Sequence, residues 1–243
     1  MLSMISQPSD ILYGAIKLHQ PAEGQGPRVS VDTVLLAHFA RAGKRVRVME
    51  MGCAHGAVTL IMAHRNPRAR FEGFDIEPEL IRMANENSVL NGLSERVRFF
   101  VSDLREHRKN FTAESYDAVV MNPPYDEPGR SRPSAGRAMA VAMHGEECGL
   151  ADAVACAKYL LRNGGKFFLV MKAERMGELF HILSEQNVKP KRLRAVHPKP
   201  DRQASVVLVE AVRASGDGII VEPPLFICGR DGKYTEELLA AYL

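Results

Sequence analysis

Four consecutive residues follow an apolar run that is typical of a buried strand: Asn122, Pro123, Pro124 and Tyr125. Two adjacent prolines lack backbone N–H groups, so they can continue neither a strand ladder nor a helix interior. A strand-ending turn would explain this corner without any chemistry. The residue types also suit a chemical task, because the Asn122 side-chain oxygen and the Pro123 carbonyl are two acceptors beside an aromatic ring.

Two such acceptors could activate a poorly nucleophilic nitrogen. The lone pair of an adenine amine or of an amide is delocalised, and acceptors at Asn122 and Pro123 would hold that nitrogen with its lone pair aimed at an electrophile. Tyr125 would stack on a flat acceptor, which in a structured nucleic acid must first leave its stack. Asn122, Pro123, Pro124 and Tyr125 are therefore a candidate catalytic group, beside the simpler interpretation as a turn.

Carboxylates stand at the ends of three earlier predicted strands: Glu50, Asp75 and Asp103. In open α/β sheets, ligands bind beyond the carboxyl ends of the strands. We expect Asp75 to accept ribose hydroxyls and Asp103 to accept a hydrogen bond from an adenine amine. The position of Asp103 before a helical segment is equally typical of a helix N-cap.

Gly52 and Gly56 bracket the tight turn in "EMGCAHGA". This G-x-x-x-G spacing lacks the middle glycine of a dinucleotide fingerprint. Ala54 would meet more steric resistance than glycine if its φ had to be positive. We interpret His55 as a solvent-facing loop residue rather than a catalytic one.

Apolar runs and breakers predict alternating strands and helices along most of the chain. The predicted strands are 45–51, 69–76, 97–103, 116–122 and 166–172, and the predicted helices are 57–66, 78–92, 146–165 and 174–187. Two closing strands, 191–198 and 204–213, share a short connection that favours antiparallel pairing. This alternation predicts an α/β doubly wound fold with a largely parallel sheet.

The composition is that of a globular protein: 243 residues, 46% hydrophobic and 25% charged. No apolar run is long enough for a membrane span, and the N-terminus lacks a secretory signal pattern, so we expect a cytoplasmic protein. The cysteines are scattered, which predicts reduced thiols and no metal site. A net charge of +3 neither requires nor excludes a nucleic-acid partner. The oligomeric state stays open.

The segments "VRVMEMGCAHGAVTL", "FDIEPELIRMANENSVLNG" and "VSDL", followed by N-P-P-Y, resemble the motifs of class I S-adenosylmethionine-dependent methyltransferases. The resemblance implies a Rossmann-like, doubly wound, seven-stranded sheet with its last strand antiparallel. It also implies S-adenosylmethionine as the cofactor. The cofactor-binding residues that it implies are Glu50, Gly52, Cys53, Gly56, Asp75, Ile76, Asp103, Leu104 and Asn122.

Methyltransferases with this motif act on nitrogens of adenine, cytosine, guanine or a glutamine side chain. The glutamine enzymes that modify release factors usually carry a preceding helical domain, for which the residues before Val46 are too few. The segment "HQPAEGQGPRVSVDTVLLA" resembles the entry segment of the bacterial family that methylates adenine N6 in valine tRNA, beside the anticodon. Its matching residues are Gln20, Arg28, Asp32, Leu35, Leu36 and Ala37.

We expect residues 1–44 to form a segment that caps a catalytic domain spanning 45–243. The second resemblance implies that tRNA is the substrate. Methylation of another RNA base or of a protein glutamine by the same mechanism remains the enzymatic alternative. A non-catalytic RNA-binding protein is the alternative from another class.

Three arginines follow Tyr125 closely and are candidates for phosphate contacts: Arg130, Arg132 and Arg137. Arg28 is a further candidate for an RNA contact, and together with Asp32 it could instead help to close the cofactor pocket. A second basic run is the other candidate for RNA binding, although such runs are more often solvated faces: Lys189, Lys191, Arg192, Arg194, Lys199 and Arg202. With no RNA-binding module recognisable, recognition would depend on shape and on a splayed loop base.

Overall fold

A computed structural model describes residues 8–123 and 149–243. Five predicted site residues therefore lie outside the described residues: Pro124, Tyr125, Arg130, Arg132 and Arg137. The chain begins with a hairpin of β1 (Ser9–Ile11) and β2 (Ile16–Leu18), followed by helix α1 (Val31–Phe39).

Strands and helices then alternate. The first half contains β3 (Arg47–Met51), α2 (Ala57–Arg65), β4 (Arg70–Asp75), α3 (Pro78–Leu90), β5 (Val97–Val101), α4 (His107–Asn110) and β6 (Tyr116–Met121). The second half contains α5 (Leu150–Leu160), β7 (Leu161–Lys172), α6 (Met176–Glu185), β8 (Val188–His197), β9 (Val206–Arg213), β10 (Ile220–Val221), β11 (Leu225–Phe226) and α7 (Glu236–Ala240).

Seven of these strands form the predicted sheet, in the order β5-β4-β3-β6-β7-β9-β8. Strand β9 runs antiparallel to both of its neighbours, and the other neighbouring strands are parallel. The predicted class I methyltransferase topology is thus confirmed. Two short strands, β10 and β11, each pair in parallel with β8 and were not predicted. The strand order reverses between β3 and β6, which is where ligands bind in such sheets.

Alternation along the strands divides the core into two layers. Val120 and Phe168 belong to the hydrophobic cluster on one face of the sheet, whereas Val119 and Phe167 belong to the cluster on the other face. All four are at most 1% exposed. A sheet covered by helices on both faces buries every residue of its central strands, so these strands read as continuous apolar runs.

Helix α5 ends earlier than predicted. The helix prediction extended to Gly165, but the helix ends at Leu160, and residues 161–165 begin β7. Leu161 adopts an extended backbone (φ −72°, ψ 137°) and aligns with Tyr116 of β6. The register between β6 and β7 shifts just beyond this pair, so the two glycines form an irregular strand start rather than a helix stop.

Asn87 of α3 and Asn91, the C-cap of α3, hold the N-terminal hairpin. The Asn91 side chain accepts from the Lys17 amide (2.9 Å) and donates to the Lys17 carbonyl (2.7 Å). Asn87 does the same for His19, at 2.7 and 3.0 Å. Because the asparagines are four residues apart on one helix face, they act as a substitute partner strand for β2. No helix in the described ranges is long and apolar enough to cross a membrane.

Candidate active site

The predicted site residues lie in a row along the carboxyl edge of the sheet. Asp103, Asp75, Gly52 and Asn122 stand at the ends of β5, β4, β3 and β6, which are neighbours in that order. Strands are spaced by about 4.8 Å, so the ends of β4 and β6 are roughly 10 Å apart. The row is therefore long enough to face two ligands side by side.

The turn after β3 is built from left-handed residues. Gly52 has φ +65° and an open side, with nothing within 4 Å of the position a Cβ would take. Gly56 has φ +86°, and a Cβ there would lie 2.7 Å from Phe99 Cζ. Gly56 is thus required by packing, whereas Gly52 exposes backbone that a ligand could approach.

Ala54, between the two glycines, also has a positive φ of +48°. This conformation costs an alanine about 1–2 kcal/mol. Its amide donates to Asp75 Oδ2 at 2.8 Å, and that hydrogen bond to a carboxylate offsets the strain.

Asp75 connects the end of β4 to two backbone amides, those of Ala54 (2.8 Å) and Glu77 (3.1 Å). Burial is the largest cause of the raised pKa of its carboxyl group, and the amide hydrogen bonds oppose it. A carboxylate has about four acceptor sites, so the two amides leave capacity for ribose hydroxyls. The ribose contact remains a prediction.

Glu50 is buried and accepts from both the amide (2.9 Å) and the hydroxyl (2.5 Å) of Thr59. Thr59 lies in the first turn of α2, whose N-cap Gly56 has no side chain to cap it. Glu50 therefore supplies the missing cap from the neighbouring strand. Burial raises the pKa of Glu50 to about 8, with the Thr59 hydrogen bonds opposing the rise and the Asp75 charge adding to it.

Cys53 points into the core and is 2% exposed, and its amide donates to the Phe74 carbonyl at 3.0 Å. Burial raises the pKa of its thiol, so the sulfur remains protonated. Ile76 and Leu104 are half-buried after β4 and β5, and both leave apolar surface at the edge. A flat ring could pack there, although the cofactor contacts of all three residues remain predictions.

Asp103 is the N-cap of a short 3₁₀ turn, as its position in the sequence indicated. Its carboxylate accepts from the Arg105 amide (2.9 Å) and forms an ion pair with the Arg105 guanidinium (2.7 Å). Both side chains are largely buried, at 12% and 13% exposure. The expected hydrogen bond to an adenine amine would therefore share this carboxylate with Arg105.

Asn122 and Pro123 follow β6 directly and are half-buried. Met121, the residue before them, is in register with Met51, the residue before Gly52. No hydrogen bond to the Asn122 side chain occurs within residues 8–123 and 149–243. The amide and the Pro123 carbonyl thus lie one strand away from the glycine turn.

The prediction that His55 faces solvent was wrong. Its ring is 3% exposed, and neither ring nitrogen has a hydrogen-bond partner in the described part of the chain. Burial, assisted by the nearby charge of Arg28, lowers the pKa of His55 to about 4, so the ring is neutral at pH 7. The His55 carbonyl accepts from Asn87 at 3.0 Å, which joins the glycine turn to α3.

Arg28 is exposed, and its guanidinium donates to the Pro21 carbonyl. Its charge contributes to the lowered pKa of His55 in the glycine turn. Gln20, which is buried, accepts from the Val29 amide at 2.9 Å and so closes the loop that carries Arg28. Arg28 as an RNA contact remains a prediction.

Comparison with known proteins places this geometry in context. A family model described as the methyltransferase small domain matches residues 30–189. A protein of Parabacteroides distasonis is 28% identical over 75% of this chain and 76% of its own length. A protein of Dyadobacter fermentans is 25% identical over 89% of this chain and 90% of its own. Both are described as tRNA1(Val) (adenine(37)-N6)-methyltransferase.

Solved structures show the same fold at low sequence identity. A protein of Agrobacterium tumefaciens, described as a predicted O-methyltransferase, has a TM-score of 0.71 and 19% identity, covering 87% of this chain and 96% of its own. TYW2 of P. horikoshii in complex with MeSAdo has a TM-score of 0.55 and 14% identity, covering 82% and 69%.

Proposed function

The chain belongs to the methyltransferase small domain family, whose members use S-adenosylmethionine, and from this premise we propose that it methylates the exocyclic N6 of an adenine in tRNA. The anticodon-loop adenine of valine tRNA is the first target to test, because the curated relatives carry that description at 23–28% identity. The observation that carries the proposal is the position of Asn122 and Pro123, one strand from the glycine turn.

The residues of the carboxyl edge fit this cofactor. Gly52 presents open backbone, Asp75 retains acceptor sites, and Ile76 and Leu104 offer apolar surface for a purine ring. These residues would hold the cofactor: Asp75 through its free acceptor sites, Gly52 through its open backbone, and Ile76 and Leu104 through their apolar surface. When bound, S-adenosylmethionine supplies an electrophilic methyl group on a positively charged sulfur.

The chain's own residues would prepare the acceptor nitrogen. Asn122 Oδ1 and the Pro123 carbonyl would each accept one N6 hydrogen, which holds the lone pair in line with the methyl carbon. Both oxygens carry partial negative charge, so they stabilise the positive charge that develops on N6. Neither group is a base, and the surplus proton leaves to water after transfer. Tyr125 would stack on the extruded adenine, a role that remains a prediction.

The same pair of acceptors could serve another RNA base or a glutamine amide. A substrate comparison separates these alternatives: methyl-labelled cofactor is supplied with total tRNA, with ribosomal RNA and with release factors. We expect label in tRNA alone. Label in release factor and none in RNA would contradict the proposal, and no cofactor binding at all would favour a non-catalytic RNA-binding protein.

A further inference from the structure

Two loops lie side by side at the far end of the carboxyl edge. One is the turn of residues 198–203 after β8, closed by a hydrogen bond from the Arg202 amide to the Lys199 carbonyl (3.1 Å). The other is the turn of residues 229–233 after β11, closed by a hydrogen bond from the Gly229 amide to the Lys233 carbonyl (2.9 Å). The Cys228 amide donates to the Pro198 carbonyl at 3.0 Å, so the loops form one unit, here termed the two-loop surface.

The two-loop surface faces the same side as Asn122. Strand β8 is antiparallel to β9, which is antiparallel to β7, and β7 is parallel to β6, so the carboxyl ends of β8 and β6 coincide. Strand β11 is parallel to β8 and ends on that edge as well. Three strand spacings separate β6 from β8, which is about 14 Å.

Four exposed cations project from this surface: Lys199, Arg202, Arg230 and Lys233. None of them forms an ion pair within the residues that the structure describes. The surface carries two carboxylates, Asp201 and Asp231, and Asp231 accepts a hydrogen bond from the Lys233 amide (3.1 Å). The balance of charge on the surface is therefore positive.

The rest of the same basic run behaves differently. Lys189 pairs with Asp217 (3.1 Å), and Arg192 pairs with Glu210 (3.2 Å) and Glu222 (3.3 Å). Two further cations are also engaged: Lys191 donates to three carbonyls of residues 216–218, and Arg194 pairs with Glu237. These cations fasten the C-terminal segment to β8, whereas those beyond Pro198 are available to a partner.

An exposed aromatic ring lies next to these cations in the chain. Tyr234, directly after the second loop, is 60% exposed and bridges to Cys228 through its backbone. A depression of about 680 Å³ is lined by Pro198, Lys199, Asp201, Arg202 and Gln203. Cations combined with an exposed ring are the usual means of holding a nucleic-acid strand, through its phosphates and its bases.

We propose that the two-loop surface binds the phosphate backbone of the substrate RNA, on the side of the target base away from the cofactor. This inference rests on the proposed function. The predicted cofactor residues lie toward β4 and β5, so we assign the rest of the acceptor to the other side of β6, over β7, β9 and β8. Such contacts position the RNA without reading its sequence.

The test removes the four charges together, as Lys199→Gln, Arg202→Gln, Arg230→Gln and Lys233→Gln. A matched variant changes four exposed cations at the opposite, amino edge of the sheet to Gln: Arg41, Lys44, Arg45 and Arg68. Like the first set, they form no ion pair with any residue in 8–123 or 149–243. Both variants lose the same net charge. Methyl transfer to tRNA is measured between 50 and 200 mM KCl. Over this range the affinity of a protein that makes many phosphate contacts falls by about 10³-fold or more.

We expect the two-loop variant to raise KM for tRNA roughly tenfold or more, and to flatten the slope of log KM against log salt by about 3. Its kcat and its affinity for S-adenosylmethionine should be unchanged, and the amino-edge variant should behave like the wild type. If the wild type methylates tRNA and the two-loop variant shows no change in KM or in the salt slope, the two-loop surface does not bind the RNA, while the proposed function stands. A wild type that does not methylate tRNA would overturn the proposed function, and this surface with it.

Discussion

The Asp75 carboxylate accepts the backbone N–H of Ala54 at 2.8 Å, so the end of β4 holds the glycine turn that follows β3. Ala54 has a left-handed backbone, which this hydrogen bond stabilises. The turn therefore keeps its shape although an alanine stands between its two glycines. The departure from a glycine-rich motif is compensated by a side chain from the neighbouring strand.

Replacing Asp75 by Ala should weaken cofactor binding at least tenfold. The change removes the acceptor of two backbone amides, and each unsatisfied group costs about 1–3 kcal/mol when buried. Calorimetry with S-adenosylmethionine measures the effect, and Glu79→Ala, at an exposed position on α3, is the control. Equal affinities for the two variants would show that Asp75 does not organise the site.

Gly56→Ala should destabilise the fold more than Gly92→Ala. Both glycines have a positive φ, +86° and +66°, so both variants carry a left-handed alanine at about 1–2 kcal/mol. A Cβ at Gly92 meets nothing within 4 Å, but at Gly56 it would lie 2.7 Å from Phe99, which adds about 1–3 kcal/mol of overpacking. Urea unfolding of both variants gives the difference, and equal losses would count against tight packing at Gly56.

Glu50→Gln should make stability less dependent on pH. The pKa of Glu50 is raised from 4.5 to about 8, so between these values the folded state binds more protons than the unfolded state. The wild type should then lose stability as pH rises across this window, by at most about 1.4 kcal/mol per pH unit from this group. A glutamine retains an oxygen for Thr59 and does not titrate.

The measurement is the unfolding free energy of both proteins at pH 5.5 and 7.5. The wild type should decline more than Glu50→Gln over this interval, while the exposed control Glu79→Gln should follow the wild type. Parallel curves for the wild type and Glu50→Gln would mean that Glu50 titrates normally.

Asn87→Ala should loosen the N-terminal hairpin from α3. The Asn87 side chain is fully buried and bonds to both backbone groups of His19 and to the His55 carbonyl. Its loss removes the partner of one buried group, the His55 carbonyl, at about 1–3 kcal/mol, and of two partly buried groups of His19. Hydrogen exchange of residues 16–19 should accelerate markedly, and more than in Asn91→Ala, where solvent can replace the lost bonds. Slow exchange in Asn87→Ala would contradict the substitute-strand interpretation.

Local patterns were sufficient to predict the sheet. Apolar runs such as that ending at Met121, closed by breakers, define buried parallel strands, and strand ends of this fold meet at one edge. The positions of Asp75, Gly52 and Asn122 therefore followed from the sequence. Whether each contacts the cofactor or the acceptor is a prediction that their positions permit.

Features that depend on distant partners could not be predicted in this way. The Gly164-Gly165 pair is typical of a helix stop, and only the pairing of Leu161 with Tyr116 turns it into a strand start. His55 is buried because Asn87, 32 residues away, connects its turn to α3. Arg194 is not a freely solvated cation, because it pairs with Glu237, which lies 43 residues further along the chain.

The central claim concerns the nitrogen held by Asn122. Valine tRNA is incubated with methyl-labelled S-adenosylmethionine and either the wild type or Asn122→Ala, then digested to nucleosides. We predict label in N6-methyladenosine with the wild type, and a loss of about 10²–10³-fold in kcat with Asn122→Ala at unchanged cofactor affinity. Label in a different nucleoside, or undiminished transfer by Asn122→Ala, would contradict the account.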